Sequence, residues 1–159
     1  MTESGAGVVR PMRPDDRERI VDILSVSDPW VRLGFSRADW LASFAPAPEG
    51  CETYAVEVEG SAEGVAVVRR NFLIGDYLVI LAVAPERRGE GLGRVLLGAV
   101  EAIVLARARN FFLCVSDFNV NARRFYARMG YVEVGPLPDL MVAGAAEILM
   151  RKTTGPARP

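Results

Sequence analysis

The sequence from Tyr77 to Arg94 reads YLVILAVAPERRGEGLGR and joins an apolar run to a glycine-rich turn. The run Tyr77–Val83 is apolar throughout, which is typical of a strand covered on both faces. After the turn, from Gly91 to Arg109, apolar residues recur at spacings of three and four, which predicts one buried face of a helix. The residues of that face are Leu92, Val95, Leu96, Ala99, Ile103 and Ala106. This order of strand, turn and helix predicts a mixed α/β fold with a parallel portion in its sheet.

The turn itself has the composition of an anion site. A glycine-rich turn that enters a helix exposes unpaired backbone N–H groups, and the helix dipole adds positive potential there. Three arginines lie beside it, at positions 87, 88 and 94, so phosphate or pyrophosphate is the expected ligand. The alternative is an ordinary strand-to-helix turn with solvated arginines. The turn lacks the Gly-Lys-Ser/Thr of a P-loop, and its glycine spacing differs from the Rossmann fingerprint.

Local signals predict further elements on both sides of this stretch. Before it we expect a strand at Val8–Met12, followed by one helix that begins at Pro14 and another that begins at Ser36. Two further strands are expected at Thr53–Val58 and Glu63–Phe72. After it we expect a strand at 111–115 and a helix at 119–130 that is capped by Asn119. A strand at 131–134, a loop at 135–139 and a last strand at 146–152 are expected to follow. The small polar residues 1–7, the loop at Pro46, Pro48 and Gly50, and the tail 153–159 are expected to be irregular.

Composition excludes several classes of function. The chain has 159 residues, 50% of them hydrophobic, which predicts one domain over 1–159 with an ordered core of about residues 7–152. A balance of 19 basic against 20 acidic side chains argues against nucleic acid and anionic membranes as partners. The absence of histidine excludes Ser-His-Asp and Cys-His catalysis and most zinc sites, so we predict no metal.

The two cysteines, Cys51 and Cys114, are expected to be reduced, and to be buried packing residues rather than nucleophiles. Residues 1–13 lack the charged-then-apolar order of a signal peptide, and no apolar run approaches the roughly 20 residues of a membrane span. The default expectation is therefore a cytoplasmic protein.

Two motifs resemble those of one enzyme family. Arg88, Gly91 and Gly93 match motif A of the Gcn5-related N-acetyltransferases (GNAT), which is Arg or Gln, two residues, Gly, one residue, then Gly or Ala. Downstream, the pattern from Asn119 to Tyr131 is similar to motif B of that family, at the expected distance. The resemblance covers about Tyr77 to Tyr131. It implies a mixed, mostly antiparallel sheet that splays into a V at two central parallel strands, with helices on both faces.

The resemblance implies acetyl-coenzyme A as acyl donor, bound in the V. Its pyrophosphate would sit on the backbone of the turn, and its pantetheine would pair with the exposed strand edge. The implied cofactor-binding residues are Leu81, Ala82, Val83, Arg88, Gly89, Glu90, Gly91, Leu92, Gly93, Arg94, Asn119, Ala122 and Phe125. Asn119 has the alternative of a plain helix cap, and Ala122 and Phe125 the alternative of core packing.

The implied reaction is direct attack of a neutral amine on the thioester. Tyr126 corresponds to a family tyrosine that protonates the departing thiolate, with buried aromatic packing as its alternative. A backbone N–H near Ala82 or Val83 would stabilise the oxyanion. Some relatives place a glutamate base on the central strand, but no glutamate occurs from 71 to 85 here. The base is then Asp76 through water, Asp28, Asp39 or solvent.

The resemblance implies that the first two helices, which vary among such enzymes, build the acceptor site. Trp30, Phe35, Asp76 and Tyr77 are the predicted acceptor-binding residues, and Trp30, Phe35, Trp40 and Phe44 either line this pocket or form core. Protein N-termini, polyamines, amino acids and antibiotics all remain open as acceptors. Dimerisation is common in the family, so a homodimer is one expectation. The alternative function is a non-catalytic acyl-coenzyme A sensor or interaction module of the same fold.

Overall fold

The computed structural model describes residues 7–44 and 49–158, which form seven strands and four α-helices. The strands are β1 (Val8–Pro11), β2 (Cys51–Val58), β3 (Ser61–Arg69), β4 (Asp76–Val83), β5 (Asn110–Ser116), β6 (Val132–Pro138) and β7 (Ala146–Thr153). The helices are α1 (Arg17–Ser25), α2 (Arg37–Ser43), α3 (Leu92–Leu105) and α4 (Val120–Arg128), and short 3-10 turns cover Pro14–Asp16 and Pro85–Arg87. No helix in these described ranges is both long and apolar enough to cross a membrane.

All seven strands form one sheet in the order β1-β2-β3-β4-β5-β7-β6. Every neighbouring pair is antiparallel except β4 and β5, which are parallel. These two strands pair only at their beginnings, where Asp76, Tyr77 and Leu78 lie opposite Phe111, Phe112 and Leu113. Beyond that point β4 continues to Val83 and β5 to Ser116 without pairing with each other, so the sheet opens into the predicted V.

The two faces of the sheet carry separate apolar cores. On one face α3 and α4 pack on a core that includes Leu78 and Leu113; on the other, α1 and α2 pack on a core that includes Ile80 and Ala82. Leu78 and Ile80 would share a face in a regular strand, yet they lie in different cores. The cause is an irregularity against β3, where Val67 pairs with Ile80 and Val68 with Leu78, so Val79 has no partner.

The buried face of α3 differs from the predicted one. Ile103 is 39% exposed, whereas its neighbour Val104 is 1% exposed and lies in the core. The helix is apolar on several sides, so spacing alone does not select the side that meets the sheet. Glu101 also faces inward, because Lys152 on β7 pairs with it at 2.8 Å. The helix ends at Leu105 rather than at the predicted Arg109.

Three predicted boundaries were wrong. Residues 135–138, expected as a loop, continue β6, which tolerates Pro136 and Pro138 because it is an edge strand. Strand β3 ends at Arg69 rather than Phe72, before a turn in which Asn71, Leu73 and Ile74 have positive φ. Part of the irregular tail is ordered, because β7 includes Thr153. The predicted N-terminal tail up to residue 6, Pro46, Pro48 and Pro159 lie outside the described residues.

Candidate active site

The V between β4 and β5 contains a cavity of about 1100 Å³. Its lining comes from both strands, the turn before α3, the start of α4 and the segment between α1 and α2. Most of the residues that the sequence singled out meet here. Those in the lining are Trp30, Phe35, Tyr77, Leu81, Ala82, Val83, Arg88, Gly89, Gly91, Leu92, Gly93, Arg94, Asn119, Ala122, Phe125 and Tyr126. One cavity therefore joins the predicted anion site, the predicted acid and the predicted acceptor pocket.

The turn before α3 forms an anion cradle, which we define as residues 88–94. Gly91 is the N-cap of α3 with φ +80°, and no side chain caps the helix. Gly89 has φ +83°, and open space surrounds the position of a Cβ at both glycines. Among the described residues, the backbone N–H groups of the cradle have no acceptor except those of Arg88 and Glu90, which close the turn. Several N–H donors are therefore available to one anion.

Arginines give this end of the cavity its positive charge. Arg87, Arg88 and Arg94 line it, together with Arg128 at the end of α4. Arg87 is partly neutralised by Glu59 at 3.6 Å and Glu90 at 3.5 Å. Within the described part of the chain, neither Arg88 nor Arg94 forms an ion pair. Two free guanidinium groups beside unpaired N–H donors fit a phosphate ester.

The open edge of β4 offers an extended ligand a strand to pair with. The N–H of Ala84 donates to the carbonyl of Glu63 at 2.8 Å, so the backbone of Ala84 faces β3. Because backbone groups alternate in direction along a strand, Ala82 also faces β3, whereas Leu81 and Val83 face the gap. Of the two N–H groups predicted to stabilise an oxyanion, only that of Val83 faces the gap.

Tyr126 lies on α4. Its side chain packs in the core under α3 and α4 and also forms part of the cavity wall. The ring packs edge-on against Phe125 and Tyr131, with centroids 5.2 and 5.7 Å apart. Burial raises the pKa of Tyr126 above its ordinary value, so the phenol stays neutral. Asn119 caps the same helix, because its Oδ1 accepts from the N–H of Ala122 at 3.2 Å. Asn119 also lines the cavity, so its two predicted roles are compatible.

Aromatic side chains from α2 and the segment before it form another part of the cavity wall. Trp40 stacks on Phe35 at 5.1 Å and meets Trp30 edge-on at 5.8 Å. The predicted capping box holds α2 in place: Ser36 accepts from the N–H of Asp39, and Asp39 accepts from that of Ser36. Trp40 is 4% exposed, whereas Trp30 and Phe35 are half-buried. The aromatic residues therefore serve both as core and as cavity wall.

Comparison with known proteins agrees with this geometry. Residues 17–131 match the model of the acetyltransferase (GNAT) family. The 5-NmdU N-acetyltransferase of Pseudomonas phage PaMx11 is 30% identical over 129 residues, which cover 80% of this chain and 89% of that protein. The chain belongs to the GNAT family of N-acetyltransferases.

Other relatives support the same placement. An uncharacterised N-acetyltransferase of Methanocaldococcus jannaschii is 37% identical over 101 residues, 62% of this chain and 64% of the relative, so the chain spans slightly under two thirds of that protein. The solved structure of Ard1 from Thermoplasma volcanium superposes with a TM-score of 0.77 at 24% identity, covering 95% of this chain and 99% of that one. The predicted GNAT fold is confirmed.

Two predicted site residues of this GNAT protein lie outside the cavity lining. The carboxylate of Asp76 accepts from Arg107 at 2.7 and 2.9 Å and from the N–H of Asn71 at 3.1 Å, at the closed end of the V. It is therefore bound by its own chain. The carboxylate of Glu90 points to Arg87, and its N–H closes the turn.

Of the other suggested bases, Asp39 is occupied in the α2 cap, where hydrogen bonds from Ser36 lower its pKa. Asp28 does line the cavity. Cys51 and Cys114 were expected to be buried packing residues, but both are half-buried and line the cavity. Burial raises the pKa of the Cys114 thiol, which keeps it protonated and a poor nucleophile.

Sequence reasoning missed Glu147 on β7. This residue is 8% exposed, lines the cavity and lies opposite Ser116 of β5. In the sequence, AEILMRK is a strand with one acidic residue near its start, a common feature of surface strands. The available signal was the alternation of side chains along a strand. Glu147 and Met150 are three positions apart, so they point to opposite faces of the sheet, and Met150 packs in the core under α3 and α4.

Proposed function

We propose that this GNAT protein transfers the acetyl group of acetyl-coenzyme A to a primary amine. The observation that carries the proposal is the single cavity that has the anion cradle at one end and the Tyr126 side chain in its wall. The donor's phosphates would bind the free N–H groups of the cradle together with Arg88 and Arg94. Its pantetheine arm would pair with the open β4 edge at Leu81 and Val83, which leads towards the acceptor end.

In the proposed reaction the neutral amine attacks the thioester carbon directly. The N–H of Val83, which faces the gap, would donate to the oxygen that becomes negative. As the carbon–sulfur bond breaks, the phenol of Tyr126 would give its proton to the sulfur. The raised pKa of Tyr126 supports this role, because the phenol still holds its proton at a pH where the free thiol of coenzyme A is ionised. The proposed route uses no metal ion and no covalent enzyme intermediate.

The test is thiol release. Purified protein is mixed with acetyl-coenzyme A and a broad set of primary amines, and free thiol is followed by colorimetry while mass spectrometry identifies the product. We expect thiol and N-acetylated amine to appear in equal amounts. Calorimetry measures acetyl-coenzyme A binding in parallel. Tight binding without thiol release from any amine would instead support a non-catalytic sensor of acyl-coenzyme A.

A further inference from the structure

Glu147 differs from every other buried carboxylate in the described part of the chain. Five acidic residues are buried there: Asp16, Glu63, Asp76, Glu101 and Glu147. The first four each pair with a basic side chain of this protein, at distances of 2.6 to 2.8 Å, namely Arg10, Arg19, Arg107 and Lys152. Glu147 has no cationic partner among the described residues, although burying an unpaired carboxylate is costly. A cation from outside the chain would supply what the other four already have.

The position of Glu147 places it on the acceptor side of the sheet. It lies opposite Ser116, two residues after Cys114, and all three line the cavity. The intervening Val115 lies in the core under α3 and α4, so Cys114, Ser116 and Glu147 face the other side, where α1 and α2 pack. Tyr126 projects from α4 on the first side. The phenol and the carboxylate therefore reach the open gap from opposite faces.

The neighbours of Glu147 leave it free to accept a proton. Burial is the main cause that raises the pKa of Glu147; the Ser116 hydroxyl beside the carboxylate lowers this pKa, and the nearby charge of Asp117 raises it. Tyr77 on β4 and Cys114 on β5 also face it, and burial raises the pKa of both, so they stay neutral. The Ser116 hydroxyl beside Glu147 is buried and carries no charge. Arg69, at the exposed end of β3, is the cavity's basic group on the Tyr77 side.

The remaining lining of this end limits the body of the acceptor. Only two carboxylates, Asp28 and Glu147, occur in the cavity lining of the described residues. From Ser27 to Phe44 the lining is mainly aromatic or aliphatic, with Trp30, Leu33, Phe35, Trp40 and Phe44. A polycation would need a carboxylate for each of several ammonium groups, and this wall offers apolar surface instead. An amine with one positive charge and an apolar body satisfies both features.

We propose that Glu147 binds the acceptor's ammonium group and takes its proton, and that the acceptor is a primary monoamine with an aromatic or branched apolar body. This inference rests on the proposed acetyl transfer. The carboxylate of Glu147 takes one proton from the ammonium, and the nitrogen lone pair then forms the bond to the thioester carbon. The carbon–sulfur bond breaks, and the sulfur keeps its electron pair and receives the Tyr126 proton. The nitrogen loses its second proton to solvent, from which Tyr126 is reprotonated; Glu147 releases its own proton after product leaves.

The experiment compares Glu147→Gln with Glu133→Gln and wild type. Glu133 lies on the edge strand β6, pairs with Arg123 at 2.9 Å and does not line the cavity, so its variant is the matched control. Thiol release is measured with 2-phenylethylamine, spermidine, kanamycin and a peptide with N-terminal alanine. We expect Glu147→Gln to lower kcat/KM for 2-phenylethylamine by about 10²- to 10³-fold. The Kd for acetyl-coenzyme A should stay unchanged in both variants.

The pH profile separates proton transfer from packing. In wild type, kcat/KM should fall on the acid side with an apparent pKa above that of an ordinary glutamate, because a protonated Glu147 cannot accept. Glu147→Gln should lose this limb. The role of Glu147 would be refuted if the Glu147→Gln variant had the same kcat/KM as wild type, or if its pH profile kept the acid limb. A higher kcat/KM for spermidine, kanamycin or the peptide, or turnover of none of the four amines, would refute the monoamine class. Failure of acetyl-coenzyme A to bind wild type at all would refute the proposed function itself.

Discussion

Replacing Tyr126 by Phe removes a single hydroxyl group and leaves the ring in place. The ring contacts with Phe125 and Tyr131, at centroid distances of 5.2 and 5.7 Å, do not involve that hydroxyl. Among the described residues the hydroxyl forms no hydrogen bond, and the Tyr126 side chain lines the cavity. The structure therefore predicts that the variant folds as wild type does. The free energy of unfolding should change by less than about 1 kcal/mol, since one net hydrogen bond is worth about that much and none is lost.

The effect on catalysis should be much larger. A positioned general acid contributes about 10²- to 10⁴-fold, so kcat should fall by that factor, which corresponds to about 2.7–5.4 kcal/mol in the barrier. The Kd for acetyl-coenzyme A should not change, because the cradle and the β4 edge are intact. Burial raises the pKa of Tyr126, so wild type should show no loss of rate from phenol ionisation up to about pH 10. A descending limb from this phenol, expected from the ordinary tyrosine pKa, is shifted beyond that range.

The assay is single-turnover thiol release, which isolates the chemical step, with calorimetry for acetyl-coenzyme A. Tyr131→Phe is the matched control, because it removes the same group from the neighbouring ring, and Tyr131 does not line the cavity. We expect normal rates in that variant. If Tyr126→Phe retains the wild-type rate of the chemical step, the thiolate leaves without protonation by the protein, and Tyr126 is a packing residue.

Three further predictions test other parts of the site. Gly91→Glu should abolish detectable acetyl-coenzyme A binding in calorimetry, whereas Gly91→Ala, which carries only the strain of φ +80°, should bind; equal affinities would refute the cradle. Trp30→Ala should raise the acceptor KM more than the Kd for acetyl-coenzyme A, and an unchanged KM in steady-state assays would make Trp30 core only. Asp76→Asn should cost about 2–3 kcal/mol in urea unfolding, because it breaks the ion pair with Arg107, yet keep the wild-type kcat; a large loss of kcat in folded protein would restore Asp76 as the base.

Stability should respond to pH through Glu147. Its pKa is raised in the folded state, so between the unfolded and folded pKa values the folded chain holds a proton that the unfolded chain has lost. Stability from this group therefore falls as pH rises through that window. The Glu147→Gln variant lacks this effect. The difference between its free energy of unfolding and that of wild type should therefore increase, in favour of the variant, from pH 4 to pH 7 in urea titrations. A constant difference would show that Glu147 is not desolvated.

Signals within a few residues were sufficient for the turns and caps. The capping box of Ser36 and Asp39, the Asn119 cap and the glycine turn of the cradle all depend on groups within one short segment, whose geometry the backbone itself sets. The motif resemblance supplied the fold and the meeting of the turn with Tyr126. It did not identify Glu147, because the role of that residue does not lie in any local pattern.

Tertiary structure decided the rest, through contacts between distant residues. Asp76 and Glu147 are both acidic residues near the start of a strand, but Arg107, 31 positions away, pairs with Asp76 and no described cation pairs with Glu147. Likewise, every residue of the run Tyr77–Val83 is apolar, so the sequence does not show which residues point to which face of the sheet. Only the pairing with β3 reveals that Val79 forms a bulge, after which the alternation of side chains between the two faces is shifted. A charge partner and a strand register are both set by which other segments arrive alongside, and this information is spread over the whole chain.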